Sequence, residues 1–121
     1  MKALVVDDSS TMRKLLKSIL LGAGFEVIEA GDGLEALACL EQGASDLVLL
    51  DWNMPKMSGV ELLSQLRANH NFDQMRIMMV TTESEQEHIM RALQEGADEY
   101  VMKPFTRDAV LDKLQILGCI R

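Results

Sequence analysis

The chain is poor in the features that mark most metal, membrane or nucleic-acid functions. Its 121 residues hold only two cysteines. Cys39 and Cys119 lie far apart with no CxxC or Cys/His spacing, which predicts two reduced thiols and no thiolate metal centre. Positive charge is scarce. Twelve Lys and Arg against 19 Asp and Glu leave a net charge of −7, which argues against nucleic-acid binding, because that affinity rests on basic side chains neutralising phosphates. No apolar run approaches the ~20 residues of a membrane span, and Ala3 to Val6 is too short for a signal-peptide core. The expectation is a cytoplasmic protein with no membrane insertion. His70 and His88 have no partner at ligand spacing, so both are expected at the surface. No linker or low-complexity segment divides the chain.

What is present is one globular unit. A length of 121 residues, 48% apolar and 26% charged, fits a single domain over residues 1–121 with one core. Ala3 to Val6, Leu47 to Leu50, Ile77 to Val80 and Tyr100 to Met102 are short and almost uninterrupted apolar runs, the pattern of strands buried on both faces. Phe25 to Ala30 is interrupted by Glu26 and Glu29, which predicts a strand nearer a sheet edge. Helical patterns lie between them. Met12, Leu15, Leu16, Ile19 and Leu20 fall on one face and stop before Gly22-Ala23-Gly24. Asp32 with Glu35, Ser58 with Glu61, and Ser84 with Glu87 have the spacing of an N-cap and its partner three residues on, and Thr106 opens a last helix striped by Val110, Leu111, Leu114 and Leu117. Five strand–helix repeats imply right-handed crossovers and a parallel sheet covered on both faces: an α/β, doubly wound, three-layer sandwich.

Four of the apolar runs end on a polar residue that phosphoryl transfer could use: Asp7-Asp8, Asp51, Thr81 and Lys103. Each has an ordinary role when taken singly, since an aspartate between strand and helix is a favoured N-cap. Thr81 could close a turn, and Lys103 could be one more solvated lysine. Parallel strands, however, bring their carboxyl ends to one edge, where ligands of open α/β sheets bind. If the first and third strands are neighbours, three carboxylates crowd together, and each like pair costs about 1 to 4 kcal/mol at 4 Å. Such a cluster needs a cation. Oxygen-only donors favour a hard ion, and Mg²⁺ suits a small site that keeps waters and accepts a phosphate oxygen.

Asp7-Asp8, the Asp51-Trp52-Asn53-Met54-Pro55 segment, Ser58-Gly59, Thr81, Gly96-Ala97 and Lys103-Pro104-Phe105 resemble the response-regulator receiver family in order and spacing along the whole chain. The resemblance implies a flavodoxin/CheY-like sheet of order 2-1-3-4-5, an order that the strand–helix pattern alone leaves open. It implies that Asp51 is the phosphoacceptor, charged by a histidine kinase or phosphotransfer protein. Mg²⁺ would be held by the side chains of Asp8 and Asp51 and the backbone carbonyl of Asn53, with Asp7 acting through water or by supporting Asp8. Lys103 and Thr81 would engage the phosphoryl oxygens. Asn53 and Glu83 would modulate water's access to the phosphoryl group, and their identity resembles the chemotaxis type, although Ser9 stands where that type often has an aromatic. Thr81 and Tyr100 would form the switch, and the Lys103–Pro104 bond would be cis.

A target protein, such as the flagellar motor switch, would meet the face made by the fourth helix, fifth strand and fifth helix. The same resemblance implies a monomer that is not an enzyme in its own right but assists its own phosphorylation and autodephosphorylation. Met90 and Met102 would lie on that target face, while packing in the core accounts for the nine methionines generally. Trp52 is expected to be partly exposed and to report metal or phosphoryl binding. Met1 and the short tail Gly118 to Arg121 favour a free-standing protein over a receiver excised from a longer regulator. An aspartyl-phosphate phosphatase would share the nucleophile, Mg²⁺ and lysine, but Asn53 stands where its second aspartate belongs. A flavin module is disfavoured because no Ser/Thr/Gly-rich phosphate loop follows the first strand.

Overall fold

The computed structural model describes residues 1–82 and 86–120. Strands β1 (Lys2–Val6), β2 (Glu26–Ala30), β3 (Leu47–Asp51), β4 (Arg76–Thr82) and β5 (Glu99–Lys103) alternate with helices α1 (Ser10–Gly22), α2 (Gly33–Gln42), α3 (Gly59–Arg67), α4 (Gln86–Gln94) and α5 (Arg107–Ile116). The sheet runs β2-β1-β3-β4-β5 with every pairing parallel. Successive side chains of a strand point to opposite faces, so each buried run feeds two cores. Leu4, Val6, Val48, Leu50, Ile77 and Met79 face the layer of α2, α3 and α4 through Ala36, Leu40, Leu62, Leu63, Leu66 and Ala92. Ala3, Val5, Leu47, Leu49, Met78 and Val80 face α1 and α5 through Leu16, Ile19, Leu20, Val110 and Leu114.

The caps follow the sequence at Asp32, Ser58 and Thr106, whose side-chain oxygens accept from the backbone N–H three residues on. Glu35 reaches back past the cap and accepts from Gly31 N–H at 3.3 Å, one residue before the N–H that a reciprocal box would use. The Ser84 cap lies outside the described residues. At the first strand's end the cap falls to Ser9, not to an aspartate: Ser9 Oγ accepts from Met12 N–H at 3.2 Å, and Asp7 is left for other work.

One expectation of the fold needs correction. Leu15, expected on the buried stripe of α1, is 48% exposed; the helix turns Leu16, Ile19 and Leu20 to the sheet, and the contact face is narrower than the apolar stripe. The methionines divide. Met75, Met78 and Met79 are buried, whereas Met90 and Met102 are exposed. A short 3-10 turn at His70–Phe72, unsignalled by periodicity, leads into β4. Strand β2 does lie at an edge, and its Glu29 meets Arg13 and Lys17 of α1 at 3.2 and 3.6 Å. Cys39 and Cys119 are free thiols. Among the described residues no helix is long and apolar enough to cross a membrane.

Candidate functional site

The carboxyl ends of β1, β3, β4 and β5 bring Asp7, Asp8, Asp51, Thr81 and Lys103 to one edge of the sheet. The register explains the convergence. Val6 pairs with Leu50, Asp51 with Val80 and Thr81 with Met102, so the four strands stop nearly level. Asp7 extends β1 by one more hydrogen bond, its N–H donating to Ala30 O at 3.1 Å. Its carboxylate is then divided: one oxygen accepts from Ser9 N–H at 2.9 Å and the other from Lys103 Nζ at 3.3 Å. The same amine donates to Asp51 Oδ1 at 3.2 Å. Arg13 on α1 donates to the Asp7 carbonyl while its Nε reaches Glu29 at 3.2 Å, which fixes the turn from behind. Arg13 carries no signal in the sequence, because nothing in its helical position separates a solvated arginine from a turn clamp.

Carboxylate oxygens of Asp7, Asp8 and Asp51 lie within 4.8 Å of one another. Asp7 and Asp51 are buried, with relative exposures of 1% and 5%, while Asp8 opens to solvent. Burial and then the neighbouring Asp7 charge push the Asp51 carboxyl up to about 6, with Lys103 opposing them. Burial alone would lower the Lys103 amine, yet the charges of Asp51 and Asp7 prevail and raise it. One amine thus reaches two of the three carboxylates, Asp7 and Asp51, and the cluster carries more negative than positive charge. The donor set is all oxygen, one member is accessible, and burial together with the Asp7 charge makes an ionised Asp51 costly without a further cation, so these residues fit a hard divalent ion such as Mg²⁺.

The loop after β3 is pinned close to the site. Trp52 N–H donates to Val80 O at 3.1 Å, and Gly59 N–H donates to Trp52 O at 2.9 Å. A Cβ at Gly59 would collide with the Asp51 carbonyl, so only glycine lets α3 start there. Asn53, the expected carbonyl ligand, is exposed two residues past Asp51. Thr81 is 1% exposed, and its hydroxyl donates to Thr82 O at 3.0 Å. The Lys103–Pro104 bond is cis. Tyr100 is half-buried with the Lys113 ammonium 4.7 Å from its ring centroid. Glu83 lies outside the described residues.

Two aromatic expectations fail together. Trp52 is not partly exposed but buried at 7%, and His88 is not a surface bystander: their rings stack at 4.3 Å with planes 12° apart. The reason is tertiary, since α4 lays His88 over the residue that follows Asp51. His70, by contrast, is exposed and pairs with Asp73 at 3.1 Å.

A doubly wound sheet whose carboxyl edge joins three aspartates, a threonine and a lysine has the layout of a receiver in two-component signalling. The chain belongs to the response regulator receiver domain family, whose profile matches residues 3–115. It is 44% identical over 115 residues to the chemotaxis protein CheY-3 of Vibrio cholerae, covering 94% of this chain and 88% of that one. It is also 44% identical over 119 residues to the chemotaxis protein CheY1 of Helicobacter pylori, covering 97% and 96%. Among solved structures, the chemotaxis response regulator CheY4 of Vibrio cholerae superimposes with a TM-score of 0.90 at 36% identity, covering 96% and 97%.

Proposed function

We propose that residues 1–121 form one receiver, acting in the cytoplasm as a monomer, in which Asp51 accepts a phosphoryl group from a histidine kinase or phosphotransfer protein and thereby switches a partner-binding face. The observation that supports this most is the contact of Lys103 Nζ with Asp51 Oδ1 at 3.2 Å beside a cluster of three carboxylates, two of them buried. An Asp51 carboxyl near 6 is largely ionised at pH 7 and so able to attack. An Asp51 oxygen bonds to phosphorus as the phosphorus–nitrogen bond of the donor phosphohistidine breaks, and the imidazole leaves with that electron pair. Mg²⁺, held by Asp8, Asp51 and the Asn53 carbonyl with Asp7 in support, would supply charge neutralisation of the phosphoryl oxygens. Lys103 supplies a second positive charge beside Asp51.

Thr81 then has a choice of partners. Its hydroxyl bonds the Thr82 carbonyl in this structure and would turn to the phosphoryl oxygen on Asp51. That turn frees space along β4 for Tyr100, which lies on the same face of the sheet as the α4 layer. Phosphorylation would bias an existing equilibrium of the α4, β5 and α5 face, where Met90 and Met102 already stand exposed. A chemotaxis-type output, with the flagellar motor switch as the kind of target, is supported by the two CheY relatives. Asn53 and Glu83 are assigned the control of water access, hence of autodephosphorylation.

The test is intact mass after incubation with acetyl phosphate, with and without Mg²⁺, on this chain and on Asp51→Asn. A Mg²⁺-dependent adduct of one phosphoryl group, absent from the variant, is expected. Full uptake by Asp51→Asn refutes the assignment.

A further inference from the structure

Beside the aspartates, the loop 52–58 rests on a helix with no assigned part in the chemistry. The loop's ends are closed by the Gly59 N–H to Trp52 O bond, so its shape depends on what holds its tip. The tip leans on the first turn of α2. Met57 lies across Gly33 so closely that a Cβ there would stand 2.8 Å from Met57 Sδ, 3.0 Å from its Cβ and 3.2 Å from its Cγ. Lys56, the only non-glycine residue with positive φ among the described residues (φ 69°), reaches Asp32 Oδ2 at 3.5 Å. Asp32 is itself the cap of α2. Sequence pattern shows the cap but neither the Met57 nor the Lys56 contact.

We propose that the first turn of α2, through Gly33 and Asp32, is a positioning element for the metal-binding loop: it sets the height of residues 53–58 and with it the Asn53 backbone carbonyl. The inference rests on the reading of this pocket as a Mg²⁺ site. A backbone ligand has no side chain to aim it, so its position is that of the loop carrying it. Mg²⁺ holds its ligands at ~2.0–2.1 Å in near-ideal octahedral geometry, which leaves little tolerance for displacement. Adding a methyl group at Gly33 would test the linkage. The Met57 sulfur could swing aside by rotation, but Met57 Cβ at 3.0 Å is rooted in the loop backbone. Its retreat to ordinary contact, about 3.5 Å or more, must therefore move the loop.

The experiment measures Mg²⁺ affinity by calorimetry for the wild type, Gly33→Ala and Met57→Ala. Hydrogen exchange of residues 53–58 in metal-free protein is measured in parallel. Gly33→Ala is expected to weaken Mg²⁺ binding about tenfold, the usual scale for residues that orient a ligand, and to speed exchange in the loop. Met57→Ala removes the tether without a clash, so it guards against a Gly33→Ala chain that fails to fold, and it should shift both readouts in the same direction. Variants that melt earlier yet bind Mg²⁺ within twofold of wild type would reduce the contact to packing and overturn the proposal. If the wild type binds no Mg²⁺, the metal-site reading falls by itself, and unchanged loop exchange in both variants then overturns the tether as well.

Discussion

The two edges of the sheet solve the same problem, closing five parallel strand ends, in opposite ways. At the amino edge Arg67, at the end of α3, donates Nε to Gly96 O at 2.9 Å, Nη1 to Phe72 O at 2.9 Å, and Nη2 to both Met75 O and Asp98 Oδ2 at 2.8 Å. Asp98 also accepts Ile77 N–H at 2.9 Å, so one guanidinium and one carboxylate tie α3, β4 and the entry to β5. Donors and acceptors match there. At the carboxyl edge three carboxylates cluster beside a single lysine amine that reaches only Asp7 and Asp51, and burial first, then the Asp7 charge, push the Asp51 carboxyl up to about 6. The amino edge is built to hold still, and the carboxyl edge has the excess negative charge that the proposed cation and phosphoryl chemistry would use. A satisfied polar cluster adds stability, whereas a charge deficit maintained by burial is a standing affinity for a ligand.

The sharpest way to break this contrast is at Arg67. Arg67→Ala withdraws the guanidinium from three carbonyls, of which Phe72 O keeps the Met75 N–H at 3.1 Å, and leaves Asp98 with the Ile77 N–H and the distant Arg76 at 3.8 Å. A loss of about 3 kcal/mol is expected from urea unfolding. A loss under about 1 kcal/mol would mean that water replaces the clamp and that the two edges do not differ in kind.

The opposite sign is expected across the sheet. Asp51 has a folded carboxyl raised from 3.8 to about 6. The folded state therefore holds this proton more tightly than the unfolded chain, and metal-free stability should fall as pH rises from about 4 to about 6. With allowance for solvent screening, the group's share is about 1 to 2 kcal/mol. Asp51→Asn should be more stable than wild type at pH 7 by that amount, with a flatter profile across the same window. A variant less stable than wild type at pH 7 would show that the Lys103 contact outweighs the cost of burying the charge beside Asp7.

These opposite edges also differ in how legible they are. The carboxyl edge can be read because each candidate site residue stands at the end of an apolar run, and parallel topology converts equal run ends into proximity. The strand order itself comes only from the family resemblance. Asp7 is legible as a site residue but not in its structural task of receiving the Ser9 N–H. The Arg67 clamp is invisible: an arginine in the last turn of a helix reads as solvated until the chain places Gly96 and Asp98 beneath it. His88 and Leu15 mislead for one reason, that helix orientation is settled by packing. The apolar stripe of α1 is wider than its contact, and the face of α4 that turns inward carries a ring no hydrophobic pattern would count.

The smallest expected effect lies at the join between the charged edge and α4, part of the proposed output face. Trp52 follows Asp51 directly and stacks on His88 of α4 at 4.3 Å, so the stack is a direct route of contact from the site to that helix. Aromatic pairs add about 0.5 to 1.5 kcal/mol beyond area burial. His88→Ala should therefore cost on the order of 1 kcal/mol and admit water to an indole now 7% exposed, shifting Trp52 emission to longer wavelength. His88→Phe keeps a ring in place and should restore both values, which separates stacking from any property peculiar to imidazole. If the emission of His88→Ala matches wild type, the indole is sheltered by its other neighbours, and the stack is contact without coupling. If Phe fails where His succeeds, the imidazole's polar atoms matter, and the link between Asp51's strand and α4 is a hydrogen-bonded one as well as a stacked one.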